Sequence, residues 1–334
     1  MVHAVSRGFC AALALQRRRP VLFVLLTLPS LLLVLQARHL SPTDPASFSR
    51  GLPTGLHREG RTSESRYVYW MTGDTAADRA QAHDLGCRSG ERGTAGPVVL
   101  AFGRQVEAGG TRGFDGSSVV RSYELIAAVS SAFAAGLSEC SDRTHLLVVA
   151  TSNYRLDDPP SAARFGAQWA AMLDLIDPAD GVTVLGGTDL EPGWGSYSAT
   201  AAWVESFRTT GKILVSNASA DGCPRSGTGG HCANGWTVDG LAGLVWGGNG
   251  LALPQIYRHD GVQAEQWGVL AHSWDVTGGV VRFAGAMTQV RACEQVRNRN
   301  CPQLSLGSED ARRQLVDAVD GIASVPVGTD IGWG

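Results

Sequence analysis

The sequence predicts an α/β protein, a TIM-like (β/α)8 barrel with one or two degenerate units, on three observations. Short apolar runs alternate with helical patterns, the signature of parallel strands joined by crossover helices. Eight such runs can be counted. The stretch that carries them, Tyr67 to Ile322, is 256 residues long, close to the ~250 of such a barrel. A doubly wound open sheet is the alternative.

The elements follow in order. Tyr67–Met71 opens the series, and residues 72–96 hold one short helix candidate before the second run, Pro97–Phe102. Helix Ser118–Ser138 leads to Leu146–Ala150, helix Ala162–Ile176 to Val182–Gly186, and helix Ser198–Phe207 to Ile213–Asn217. The sixth run is Leu244–Gly247, joined to Leu253–Tyr257 by a link too short for a helix. Helix Ala264–Trp274, the run Val281–Ala284 and helix Glu309–Ile322 complete the set, with residues 323–334 as a C-terminal tail.

Ahead of the domain, residues 37–66 are rich in Ser, Pro, Arg and Gly and read as a linker. Residues 1–36 hold no acidic residue, carry Arg7 and Arg17-Arg18-Arg19, and continue into a mostly apolar run from Val21 to Leu35. A basic flank before ~15 apolar residues fits a signal peptide, whereas a spanning helix needs ~20. Leu35-Gln36-Ala37 sets a small residue at only one of the two cleavage positions, so a cleaved signal and an uncleaved anchor both stay open. The basic end is expected in the cytoplasm, and the globular domain outside it, secreted or membrane-anchored.

Composition is consistent with a large folded core: of 334 residues 44% are hydrophobic and 18% charged. That excludes a disordered chain and a coiled coil. Residues 37–334 hold 24 of the 28 basic residues and all 31 acidic ones, a net charge of −7. An acidic body argues against nucleic acid as a partner and leaves a neutral polysaccharide or cell-wall glycan open. The membrane is a partner only through the N-terminal segment, if uncleaved. Lys212 is the one lysine, a skew that reflects codon usage.

Cys10 is expected to be free, and six cysteines remain: Cys87, Cys140, Cys223, Cys232, Cys293 and Cys301. An even number in an oxidising compartment suggests disulfides, with 15 connectivities. Proximity pairs 223 with 232 and 293 with 301, leaving 87 with 140. A zinc site using His231 beside Cys232 is the rival, but no CxxC occurs. No metal and no cofactor are expected.

The sharpest chemical feature is Val182-Thr183-Val184-Leu185-Gly186-Gly187-Thr188-Asp189-Leu190-Glu191-Pro192-Gly193-Trp194. Residues i and i+2 of a strand point the same way, so Asp189 and Glu191 would share the interior at the C-terminal mouth. Neighbouring carboxylates repel, which raises one pKa, and a Glu protonated near neutral pH can donate to a leaving oxygen. Trp194 and Tyr197 supply faces for sugar rings. The competing structural role is to cap a helix starting around Ser196–Ser198.

Asp-x-Glu closing the fourth strand resembles the glycoside-hydrolase barrels of the chitinase type (family 18) and the lysozyme type (family 25). The resemblance implies Glu191 as proton donor and Asp189 as its partner. The fuller chitinase pattern has two further Asp residues upstream, where Gly186-Gly187-Thr188 stand here. A barrel of this type that binds a glycan or an envelope partner without turnover is therefore the alternative function.

Other strand ends offer polar or aromatic groups: Arg104 and Gln105, Ser152-Asn153-Tyr154, Asn217 with Asp221, Trp246, Gln255 with Tyr257, and Gln289, with Asp74 and Asp115 ranked lower. Asn153, Asn217, Gln255, Tyr257, Gln289, Trp194 and Trp246 form the expected substrate lining, suited to hydroxyl and N-acetyl groups. No GxSxG, HExxH or GxxxxGK occurs. The reading is an extracytoplasmic glycoside hydrolase-like barrel acting on an N-acetylated envelope glycan.

Overall fold

Two runs, Pro97–Gln105 (β2) and His145–Ser152 (β4), are almost wholly buried, as expected of central parallel strands covered on both faces. The computed structural model describes residues 62–334 except 94, 115–117 and 297–300. Its other strands are Ser63–Tyr67 (β1), Thr111–Arg112 (β3), Val182–Asp189 (β5), Leu214–Ser216 (β6), Leu251–Ala252 (β7), Met287–Thr288 (β8) and Thr329–Trp333 (β9). They form one curled sheet in the order β7-β6-β5-β4-β2-β1-β9-β8. All these pairings are parallel, and β3 is an antiparallel hairpin arm on β2.

The period of two sorts the strand residues into two cores. Val98, Leu100 and Phe102 of β2 join the outer cluster, packed against helices. Val99 and Ala101 instead meet Leu146, Val148, Ala150, Leu185, Val215, Leu251, Met287 and Ile331 in an inner cluster. Residues from strands all along the sheet thus share one interior, which requires curvature. Between edge strands β7 and β8 lie isolated parallel bridges at Ala252–Phe283 and Gln255–Met287. The bonds there include Ala284 N–H to Ala252 O (2.7 Å) and Met287 N–H to Pro254 O (2.7 Å).

The helices are Thr75–Glu91 (α1), Tyr123–Glu139 (α2), Pro159–Leu173 (α3), Tyr197–Arg208 (α4), Val238–Trp246 (α5), Val262–Val276 (α6), Val290–Val296 (α7) and Ser308–Val319 (α8). Five match the expected helices to within a few residues. Residues 72–96 hold more helix than expected: α1 runs 17 residues from an Asp74 cap whose Oδ1 accepts from the Ala76 and Ala77 N–H groups at 3.0 and 3.2 Å. Asp74 is thereby a capping residue.

Three expected elements are corrected. Leu244–Gly247 is not a strand but the end of α5, where buried Val238, Leu241, Ala242 and Val245 repeat at helical spacing behind a Thr237 cap. Tyr67–Met71 moves back to Ser63–Tyr67, inside the expected linker. The run Ser63-Glu64-Ser65-Arg66-Tyr67 is too polar to register as apolar, yet Ser63 and Ser65 are fully buried. Ser65 Oγ accepts from the Val99 N–H at 2.7 Å and bonds Thr329 Oγ1 at 2.6 Å. The expected tail contains β9, paired with β1 from Ser63–Thr329 to Tyr67–Trp333. Eight parallel strands therefore remain, with β9 taking the place of Leu244–Gly247. The expected seventh and eighth runs are extended segments flanking the short ladders of β7 and β8.

The expected cysteine pairs are disulfides: Cys87–Cys140, Cys223–Cys232 and Cys293–Cys301. The first joins α1 to the end of α2, on the side from which the strands start. Closing its 53-residue separation restricts the unfolded chain by about 4 kcal/mol. Cys232 is thus unavailable for zinc. Among the described residues no helix is long and apolar enough to cross a membrane. The expected signal segment, residues 1–36, lies outside them, as does Asp115.

Candidate active site at the C-terminal ends of the strands

Strand β5 ends at Asp189 with its side chain turned inward, on the side of Leu185, while Leu190 points to the outer core. Glu191 follows at the next inward position. The helix-capping alternative is taken up by another residue: α4 is capped by Ser196, whose Oγ accepts from the Ala199 N–H at 3.3 Å. That leaves both carboxylates for the interior.

Neighbouring loops fix their position. Asn153 grips the backbone of Glu191 at two points, its Oδ1 accepting from the Glu191 N–H and its Nδ2 donating to the Glu191 carbonyl, both at 3.0 Å. The Arg155 N–H bonds Trp194 O and the Ser196 N–H bonds Leu156 O, each at 3.0 Å. The loops after β4 and β5 are thus stitched together. From the far side of the sheet, Gln255 Nε2 donates to Asp189 Oδ1 at 2.8 Å and to the Asn217 carbonyl at 3.1 Å. Asn217 Oδ1 and Ser219 Oγ are buried without a partner among the described residues.

Burial makes these carboxylates hard to ionise. It raises the Glu191 carboxyl to about 8, helped by the charge of Asp221 and partly offset by the Gln255 amide. Asp189, only 6% exposed, is pushed well above the usual carboxylate range, first by burial and then by Glu191. The hydroxyls of Tyr67 and Tyr257 are held protonated by burial and by the same two carboxylates, so both stand as hydrogen-bond donors. Two residues before Asp189, Gly187 marks the limit of the acidic cluster. A Cβ there would lie 2.5 Å from Val148 Cγ1 and 2.8 Å from Ala150 Cβ, so the interior below has no room for another carboxylate.

Beside this corner opens a cleft of about 590 Å³, within the range of small-ligand sites. The carboxylates are absent from its wall, and Tyr67 is the residue shared by the two. Tyr67 and Tyr69 stack on Trp333 with ring centroids 4.6 and 4.8 Å away. Phe114, Tyr154 and Trp194 form a second aromatic group with centroids 5.4–5.6 Å apart. Arg104, Arg112 and Arg155 bring positive charge to the lining. Gly103, at φ +83°, creates the irregularity between Ala101 and Arg104 in β2. A Cβ on it would meet Arg112 O at 2.3 Å, so only glycine lets the hairpin arm carrying Arg112 approach.

Asp189, Glu191, Asn217, Asp221, Gln255 and Tyr257 are therefore brought to one corner, and Trp194, Tyr154 and Arg104 to the adjoining cleft. Asn153 holds Glu191 from behind. Trp246 is corrected: it lies on α5, fully buried, with Nε1 donating to Arg282 O at 2.9 Å, and packs on Trp267 and Phe283. Gln105 faces the helices, bonded to Tyr123, Phe165 and Trp203. Gln289 is half-buried ahead of α7 and is not among the residues lining the cleft. Sequence reasoning missed Tyr67, Tyr69, Arg112, Phe114, Arg155 and Trp333 as lining. The Gly109-Gly110 turn was the available signal for Arg112, since it marks a hairpin that returns beside Arg104.

No protein-family model matches the chain, and no curated protein is significantly similar to it.

Proposed function

We propose that this protein is an extracytoplasmic glycoside hydrolase-like barrel that acts on an N-acetylated cell-envelope glycan, with Glu191 as acid and Asp189 as its partner. The observation that carries the reading is a Glu191 carboxyl raised to about 8, beside buried Asp189, at the C-terminal end of a parallel strand. Such an acid still holds its proton at neutral pH and can deliver it to a glycosidic oxygen as the bond breaks. When the coupled pair shares a single proton and Glu191 holds it, Asp189 would steady the positive charge that develops on the sugar ring. Gln255 orients Asp189, and Tyr257, Tyr67 and Asn217 offer hydrogen bonds, with Trp194 as a stacking face.

Closure of the sheet into a barrel is supported by the bridges between β7 and β8 and by the shared inner cluster. Export is supported by three disulfides, which persist in oxidising compartments. A second reading, glycan binding without turnover, is favoured by one observation: the open cleft is lined by rings and arginines, and neither carboxylate is part of its wall.

The test is reducing-end release from purified cell-wall glycan by the protein and by Glu191→Gln. The catalytic reading expects release by the first and loss in the second, with binding retained. Equal release by both overturns the assignment of Glu191. Binding without release by either selects the second reading.

A further inference from the structure

We propose that the cleft formed by Arg104, Arg112 and Arg155 recognises an anionic sugar, one bearing a carboxylate or a phosphate on its ring. The inference rests on the glycan reading above for the sugar, but on independent observations for the anion.

Arg104 and Arg112 are direct cross-strand partners in the β2–β3 hairpin. Like charges placed opposite each other destabilise a strand pair, and a hairpin needed only for folding would set an acid across from one of them. Arg155 brings a third positive charge to the same cleft, on a left-handed backbone at φ +57° that costs a non-glycine residue energy. Its backbone N–H is tied to Trp194 O at 3.0 Å, and its guanidinium lies 5.2 Å from the Tyr154 ring centre.

No carboxylate among the described residues forms an ion pair with any of the three. Glu107, Asp157 and Asp158 line a smaller adjoining pocket together with Arg104 and Arg155, yet none of them forms an ion pair with either. Glu107 pairs with Arg164, and Asp158 caps α3 through the Ser161 N–H at 2.9 Å. Asp157 pairs with neither Arg104 nor Arg155. The guanidiniums feel one another instead: Arg112 and Arg155, after burial, lower the affinity of Arg104 for its proton. Arg112 lines the cleft, and its Nε is buried without an acceptor among the described residues. Planar guanidiniums bind carboxylate or phosphate through two parallel hydrogen bonds, and the surrounding rings give a pyranose its stacking faces. An anion held there would offset the repulsion that the hairpin otherwise bears.

Calorimetric titration of the full chain with three probes tests this: tri-galacturonate, glucose 6-phosphate and the neutral N-acetylglucosamine trimer. An anionic probe is expected to bind at least about tenfold more tightly than the neutral trimer, with an affinity that falls as salt is added. Whichever of the two anionic probes binds tighter identifies the source of the charge. Arg104→Gln and Arg112→Gln are each expected to weaken that binding about tenfold while Tm stays level or rises, because the like-charge pair is relieved. A role confined to folding would lower Tm and leave the preference unchanged. Equal affinity for the neutral trimer, or anion affinity untouched in both variants, overturns the proposal. If neutral glycan is cleaved but neither anion binds, the inference fails and the hydrolase reading stands. If an anion binds and no glycan is cleaved, the reverse holds.

Discussion

The mouth of the sheet has two halves, built from adjacent strands by opposite means. Around Asp189 and Glu191, two carboxyls are enclosed together, and burial raises the pH at which they ionise. Around Arg104, Arg112 and Arg155, like positive charges are left nearer solvent. A carboxyl can escape repulsion by keeping its proton, whereas a guanidinium at ordinary pH cannot shed one. The acidic half is therefore suited to moving a proton, and the basic half to holding a permanent charge.

Separating the halves by mutation gives a series of tests. The largest effect is expected for Glu191→Gln: release should fall about 10²–10⁴-fold, the usual contribution of a general acid, with cleft binding unchanged by titration. Next is Asn153→Ala, which leaves the Glu191 N–H and carbonyl without their side-chain partner. A loss of about 1–3 kcal/mol per buried unsatisfied group should show in urea unfolding, together with reduced release.

The third test is pH. Release should decline on the basic side near pH 8, as Glu191 loses its proton, and cleft binding should not follow that limb. Stability has a matching sign. Between the ordinary glutamate value of about 4.5 and the native value of about 8, the folded state holds a proton that the unfolded chain releases. The contribution is full below about pH 4.5 and is lost as pH rises to about 8. Glu191→Gln should flatten that part of a Tm-against-pH curve.

The smallest effect is expected for Asp221→Asn. Asp221 is exposed and is the second cause of the Glu191 shift after burial. Its removal should move the basic limb to lower pH, more at low salt than at high salt, without bringing it to the ordinary carboxylate range. An unmoved limb would mean that burial acts alone.

Much of the acidic half was legible in the sequence because it lies on one strand and its immediate continuation. Alternation alone placed Asp189 and Glu191 on one side, and the polar groups at neighbouring strand ends pointed to Asn217, Gln255 and Tyr257. The basic half was hidden because it depends on pairing distant in sequence. Arg112 matters only once the hairpin folds back on β2, and Trp333 only once β9 lies beside β1. The first and last strands escaped notice for a related reason. Their buried serines and threonine satisfy one another across the ladder, so their polarity reads as exposure in a single sequence. Trp246 erred the other way: an apolar run of four residues does not distinguish a strand from the last turn of a buried helix.

The pairing of β1 with β9 couples the cleft to the completeness of the chain. Ser65 and Thr329, 264 positions apart, share a hydrogen bond, and further along the same ladder the register partners Tyr67 and Trp333 stack as one wall of the cleft. That wall exists only when both distant segments are in place, so a fragment lacking residues 329–333 would lose it even with all three arginines present. By mass action, a ligand resting on Tyr67 and Trp333 would in turn fasten the two segments together. Resistance of the β1–β9 pair to hydrogen exchange would then report occupancy of a site several residues away.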